Sequence, residues 1–162
     1  MPRRRPGALR AARDLEPHRI ASWQRDLPPI DRLSRTTSAL VRNAEAARPG
    51  YHVHPGSVRT NLARYRAFLR LPGEKLRLPT SGCLSCPGCQ YDDIAYVRDA
   101  LQDALMLLPL PARTELRRLL DTLDTRFRRR TIPDRWSSRT DWLGEPPPWW
   151  HRRVYTDARG AE

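Results

Sequence analysis

The chain has 162 residues, of which 39% are hydrophobic and 30% charged, and it carries a formal net charge of +12. That length suits one domain with a core of its own, and the mixture excludes both full disorder and a miniature that depends on disulfides. No apolar run approaches the roughly 20 residues that span a bilayer, and no apolar stretch follows the basic segment Met1 to Arg10 as a secretory signal requires, so the sequence predicts a cytoplasmic protein that does not enter membranes.

The charge is uneven. Residues 1–79 hold 17 basic and 6 acidic side chains, a net of +11. Residues 80–124 hold 4 and 7, a net of −3, and residues 125–162 hold 9 and 5, a net of +4. Lys75 is the one lysine among the 30 basic residues, a skew expected of a GC-rich genome. The positive field itself favours a polyanion or an acidic protein face.

Residues 1–30 read as a basic arm, with Arg3, Arg4 and Arg5 between Pro2 and Pro6, and Trp23 further along. A first helix is predicted from Asp31 to Ala47. Asp31 is its expected cap, because a carboxylate accepts from the open N–H groups of a first turn. Leu33, Leu40, Val41 and Ala44 fall on one side, and Pro49-Gly50 ends the pattern. After the loop Tyr51 to Gly56, Ser57 is the expected cap of a second helix reaching about Leu71. Val58, Leu62, Tyr65 and Leu69 form its apolar stripe, with Arg59, Arg66 and Arg70 as a basic face.

Residues 74–90 form a loop that carries every cysteine. Two further helices follow. The first, Asp92 to Leu108, has Ile94, Val97, Leu101, Ala104, Leu105 and Leu108 in step. The second, Pro111 to Arg129, has Leu116, Leu119, Leu120, Leu123 and Phe127. Their join is so short that they should fold back as a hairpin. From Thr131 onward, Trp136, Trp142, Trp149 and Trp150 accompany Pro146-Pro147-Pro148. This pattern predicts an extended strap anchored by its indoles. The expected fold is therefore all-α: a helical domain over 31–130 that includes the cysteine loop 80–90, with the strap 131–162 outside it.

The sharpest chemical signal is Cys83-Leu-Ser-Cys86-Pro-Gly-Cys89. A C-x2-C turn brings two thiolates to one side of a tight loop, as tetrahedral Zn²⁺ requires. An odd number of thiols in a reducing compartment argues against a disulfide framework. A closed structural site needs a fourth ligand. His54 leads, with His52, His151 and Asp93 as alternatives. Asp93 stands where a ferredoxin-type run places its fourth cysteine, so an iron–sulfur cluster is the second expectation and metal-free thiols the third. No zinc-protease helix, phosphate-binding glycine loop or nucleophile motif accompanies the cysteines, which argues against an enzyme. A metal-dependent or redox enzyme ranks last.

Two basic patches could grip phosphates: Arg64, Arg66 and Arg70, and then Arg117 and Arg118 with Arg128, Arg129 and Arg130. The last three also complement the negative end of their helix. No helix-turn-helix spacing is present, so sequence-specific reading of DNA is not expected. The leading expectation is a non-enzymatic binding module with a structural metal site that engages nucleic acid or another polyanion. The alternative is a protein–protein adaptor for an acidic partner. The segment Glu115 to Arg153, with Arg-Thr-Ile-Pro-Asp at 130–134 and Pro-Trp-Trp-His-Arg-Arg at 148–153, resembles small uncharacterised arginine-rich proteins of actinobacterial genomes. This resemblance implies a high-GC origin and assigns no activity.

Overall fold

The structure is a computed structural model that describes residues 31–70, 94–133 and 144–155. The basic arm, the cysteine loop, Asp92, Asp93, Trp136 and Trp142 lie outside the described residues.

Four helices make up the described fold: α1 (Arg35–Ala47), α2 (Ser57–Phe68), α3 (Ile94–Leu107) and α4 (Leu110–Arg130). The fold is all-α, as the periodicity implied. Helix α2 packs along α3, and α1 lies against α4. The interior is built from the expected stripes. Leu62, Phe68, Leu101, Ala112 and Leu116 are fully buried, and Phe127 is nearly so. Phe127 of α4 meets Tyr65 and Phe68 of α2, with ring centroids 6.0 and 5.8 Å apart. Such tilted pairs add about 0.5–1.5 kcal/mol each beyond the area they bury.

Helices α3 and α4 fold back on each other through Leu108 and Pro109. Pro109 is the N-cap of α4 and Pro111 sits in its first turn, where a missing N–H costs nothing. The guanidinium of Arg113 donates to the carbonyl of Leu108 at 2.9 and 3.1 Å and to that of Met106 at 3.3 Å. A cation thereby covers open carbonyls at the C-terminal end of α3. Further along the pair, Arg98 of α3 meets Asp124 of α4 in a buried ion pair at 3.1 Å. Tyr65 donates its hydroxyl to the same carboxylate at 2.7 Å, so one buried Asp joins three helices.

Both expected caps are displaced. Helix α1 starts at Arg35, with Ser34 as its cap. Asp31 instead accepts from Leu33 N and Ser38 Oγ, and Arg32 has φ +61°, which breaks any helix beginning at Asp31. Helix α2 is capped by Gly56 at φ +83°, and Ser57 is already inside the helix.

The two helix N-termini are satisfied by glutamates from elsewhere in the fold. Glu45 of α1 accepts from Gly56 N and Val58 N at 2.8 Å and from Ser57 Oγ at 3.2 Å, although it is itself buried. Glu115 of α4 accepts from Ser34 N and Thr37 Oγ1 at 2.5 Å and from Ser34 Oγ at 2.7 Å. A carboxylate at these positions satisfies donors and complements the positive helix end.

The strap returns to the bundle. β1 (Thr131–Pro133) pairs antiparallel with β2 (Arg153–Tyr155), placing Thr131 opposite Tyr155 and Pro133 opposite Arg153. A 3-10 turn at Trp149–His151 docks on α3. Asp99 of α3 accepts from Trp150 Nε1 and meets His151 Nε2, both at 2.7 Å. Trp149 packs edge-on against Phe127 at 5.9 Å. The expectation that indoles anchor the strap holds for Trp149 and Trp150.

Candidate polyanion-binding face

Helix α4 buries one side. Ala112, Leu116, Leu120, Leu123, Asp124 and Phe127 face inward, at three- and four-residue steps. The opposite side therefore looks outward over the whole 21-residue length. Arg117, Arg118, Arg126, Arg128 and Arg129 are exposed there. Asp121 is the acidic residue of this side. The five arginines form no ion pair with any described residue. Thr114, Thr122 and Thr125, on the same side, turn their hydroxyls back to carbonyls four residues earlier at 2.8–3.0 Å. The polar capacity presented outward is thus mainly guanidinium.

Two of these cations are positioned by the strap. The guanidinium carbon of Arg128 lies 4.0 Å above the Trp149 ring. A guanidinium stacked by its face keeps its N–H edges available. Arg153 donates to the carbonyls of Arg128 and Thr131 at 2.8 and 2.5 Å and to Thr131 Oγ1 at 2.8 Å, so it covers the C-terminal end of α4. Burial first, and then the Arg128 charge, hold the Arg153 guanidinium below its ordinary pKa. Arg130 donates to the carbonyl of Leu69, which draws the end of α2 to the same place. Exposed Arg70 and Arg152 consequently join Arg128 and Arg129 at one end of the bundle.

Two of the three arginines of the other predicted patch are not on the surface. Arg64 and Arg66 are 7% and 8% exposed. Arg66 donates to the carbonyl of Asp31 at 2.5 Å. Its pKa is lowered by burial first and then by Arg32 and Arg70, with Asp31 opposing. Of that patch only Arg70 is exposed. In place of Arg64 and Arg66, the surface offers Arg126 and Arg152. Sequence reasoning had the signal for Arg152 in Trp-Trp-His-Arg-Arg, but not its arrival beside α4.

Of the candidate metal ligands, Cys83, Cys86, Cys89 and Asp93 lie outside the described residues. His54 is exposed, and its backbone N–H donates to Ser57 Oγ at 3.2 Å. His52 Nδ1 lies 2.7 Å from Asp103. His151 does fold back, as its candidacy required, but onto Asp99 at 2.7 Å. Asp99 and Asp103 are one turn apart on α3, so that helix holds two carboxylate–histidine pairs. Among the described residues no group of three or more His, Cys, Asp or Glu is placed to hold a metal ion. No described helix is long and apolar enough to cross a membrane.

No protein-family model, curated protein or solved structure matches this chain.

Proposed function

We propose that the chain is a non-enzymatic module that binds a polyanion, nucleic acid foremost, through the outward side of α4. The observation that carries this reading is the row of five exposed arginines without ion-pair partners among the described residues. Cations that pair with no described residue, set along one helix, attract phosphate and release its counterions. The net charge of +12 adds long-range attraction of the same sign. The structural metal belongs to the same proposal. Zn²⁺ would be held by Cys83, Cys86 and Cys89 with a fourth ligand, His54 foremost, and the support for it is the spacing of the thiols.

The test is fluorescence anisotropy of labelled nucleic acid titrated with the full chain over a range of salt. Binding should weaken by orders of magnitude between about 50 and 200 mM salt. Absence of binding at low salt, with selective capture of an acidic protein after nuclease treatment, would favour the adaptor instead. Elemental analysis of protein purified without chelators tests the metal: one zinc per chain supports it, and metal-free folded protein removes it.

A further inference from the structure

The arginines of α4 are not evenly spread. Arg117 and Arg118 form one doublet and Arg128 and Arg129 another. Eleven residues separate them, close to three whole turns, so the doublets occupy the same angular sector of the helix. Along the axis they stand about 16 Å apart. Between them the same sector carries Asp121, Thr122 and Thr125, and both threonine hydroxyls are bonded to the helix itself. The face is therefore cationic at two ends, with Arg126 one turn before Arg129 and beside the second doublet, and neutral or acidic in the middle.

That distribution discriminates between polyanions. A single strand following the helix would place phosphates all along it, and its middle phosphates would meet Asp121. A duplex presents two rows of phosphate with a groove between them. The major groove of B-form DNA is about 12 Å wide. Doublets centred about 16 Å apart reach just beyond its two rims, onto the phosphates. In A-form RNA the major groove is too narrow for that separation, and the wide groove is the shallow minor one, whose 2′-hydroxyls and base edges would face the acidic middle of the helix in place of an open groove. We infer that double-stranded B-form DNA is the polyanion, with α4 bridging the major groove from rim to rim and one arginine doublet on each phosphate row.

This inference rests on the binding reading above and narrows it. Exposed amide side chains that would read adenine edges are missing from this sector of α4, and the threonines have spent their hydroxyls, so little sequence preference is expected. Arg128, stacked on Trp149, is held in place before binding.

The experiment compares duplex DNA, the matching single strand and duplex RNA of one length, by anisotropy against the full chain. Duplex DNA should bind tightest. Four phosphate contacts predict a log–log salt slope near −3.6 from the doublets, at about 0.9 per contact. Neutralising either doublet, Arg117→Gln with Arg118→Gln or Arg128→Gln with Arg129→Gln, should flatten the slope by about 1.8 and weaken low-salt binding roughly tenfold. Circular dichroism confirms that each variant is folded. Equal or tighter binding of the single strand or of duplex RNA overturns this inference but leaves the broader proposal standing. So does a folded variant lacking one doublet that keeps both affinity and slope. No binding to any nucleic acid overturns both.

Discussion

Helices α2 and α4 are both rich in arginine, yet they use it in opposite ways. Helix α2 is hemmed in by α3, α1 and α4. Seven of its residues from Asn61 to Phe68 are buried, Arg64 and Arg66 among them. Helix α4 touches the bundle on one side only and leaves five arginines outward. Where an arginine meets the fold, it is stacked, paired or laid on helix carbonyls, as Arg98, Arg113 and Arg153 are. The five outward arginines of α4, by contrast, form no ion pair with any described residue. A count of positive charge cannot separate these two populations, whereas burial does.

The largest way to break this comparison lies on the buried side. Asp124→Ala removes the carboxylate shared by Arg98 and Tyr65, leaving a guanidinium 6% exposed without its partner. Uncompensated burial of a charge costs about 3–5 kcal/mol. Urea unfolding should register that loss, while nucleic-acid affinity of the folded fraction stays as it was. A loss under about 1 kcal/mol, the size of an exposed pair, would mean that this network is not holding the helices together.

Next in size is Glu45→Ala. It strands Val58 N and Ser57 Oγ at a buried helix start, which should cost about 2 kcal/mol. Glu45→Gln keeps an acceptor oxygen and should cost less. If both variants unfold at the same urea concentration as the parent, the cross-helix cap is contributing nothing.

These two residues also mark where the sequence could and could not be read. The apolar stripes of α1, α3 and α4 gave the helices and the hairpin, because each of these helices buries one side and its period shows. Helix α2 is nearly surrounded, so the assumption of an outward polar side placed Arg66 on the surface. The caps failed for a related reason. A local rule picks Asp31 and Ser57, whereas the caps are their near neighbours Ser34 and Gly56; only the carboxylates that complete these N-termini, Glu115 and Glu45, are brought in by tertiary packing. The exposure of Arg117, Arg118, Arg128 and Arg129 was legible, whereas Arg130 turns to the carbonyl of Leu69. The gathering of Arg70 and Arg152 at the same end depends on the return of the strap, which no local pattern encodes.

Glu115 offers a smaller, pH-dependent contrast. Hydrogen bonds from Thr37 first, and then from Ser34 N and Ser34 Oγ, hold its carboxyl below the ordinary glutamate pKa. The unfolded chain therefore takes up this proton more readily than the folded one. The stabilisation is fully present above the unfolded value of about 4.3 and is lost as pH falls through the lower folded value. Glu115→Gln should flatten that acid limb in urea titrations and change little at neutral pH beyond the cap itself. An acid limb identical to the parent's would show that the proton is taken up elsewhere.

The smallest expected effects on stability fall within the arginine face and divide it. Arg128 and Arg129 sit in the last turn of α4, where cations complement the negative helix end at about 0.3–1 kcal/mol. Arg117 and Arg118 lie mid-helix, where exposed substitutions usually stay within about ±0.5 kcal/mol. Replacing the first doublet with glutamine should thus lower stability slightly, and replacing the second should leave it unchanged. Their effects on duplex affinity should nevertheless be equal, since each doublet serves one phosphate row. Thermal unfolding and anisotropy on the same two variants separate the roles. If affinity tracks stability, the C-terminal arginines are helix caps and the face has no second duty. If affinity falls equally while stability does not, the two doublets act on an external anion.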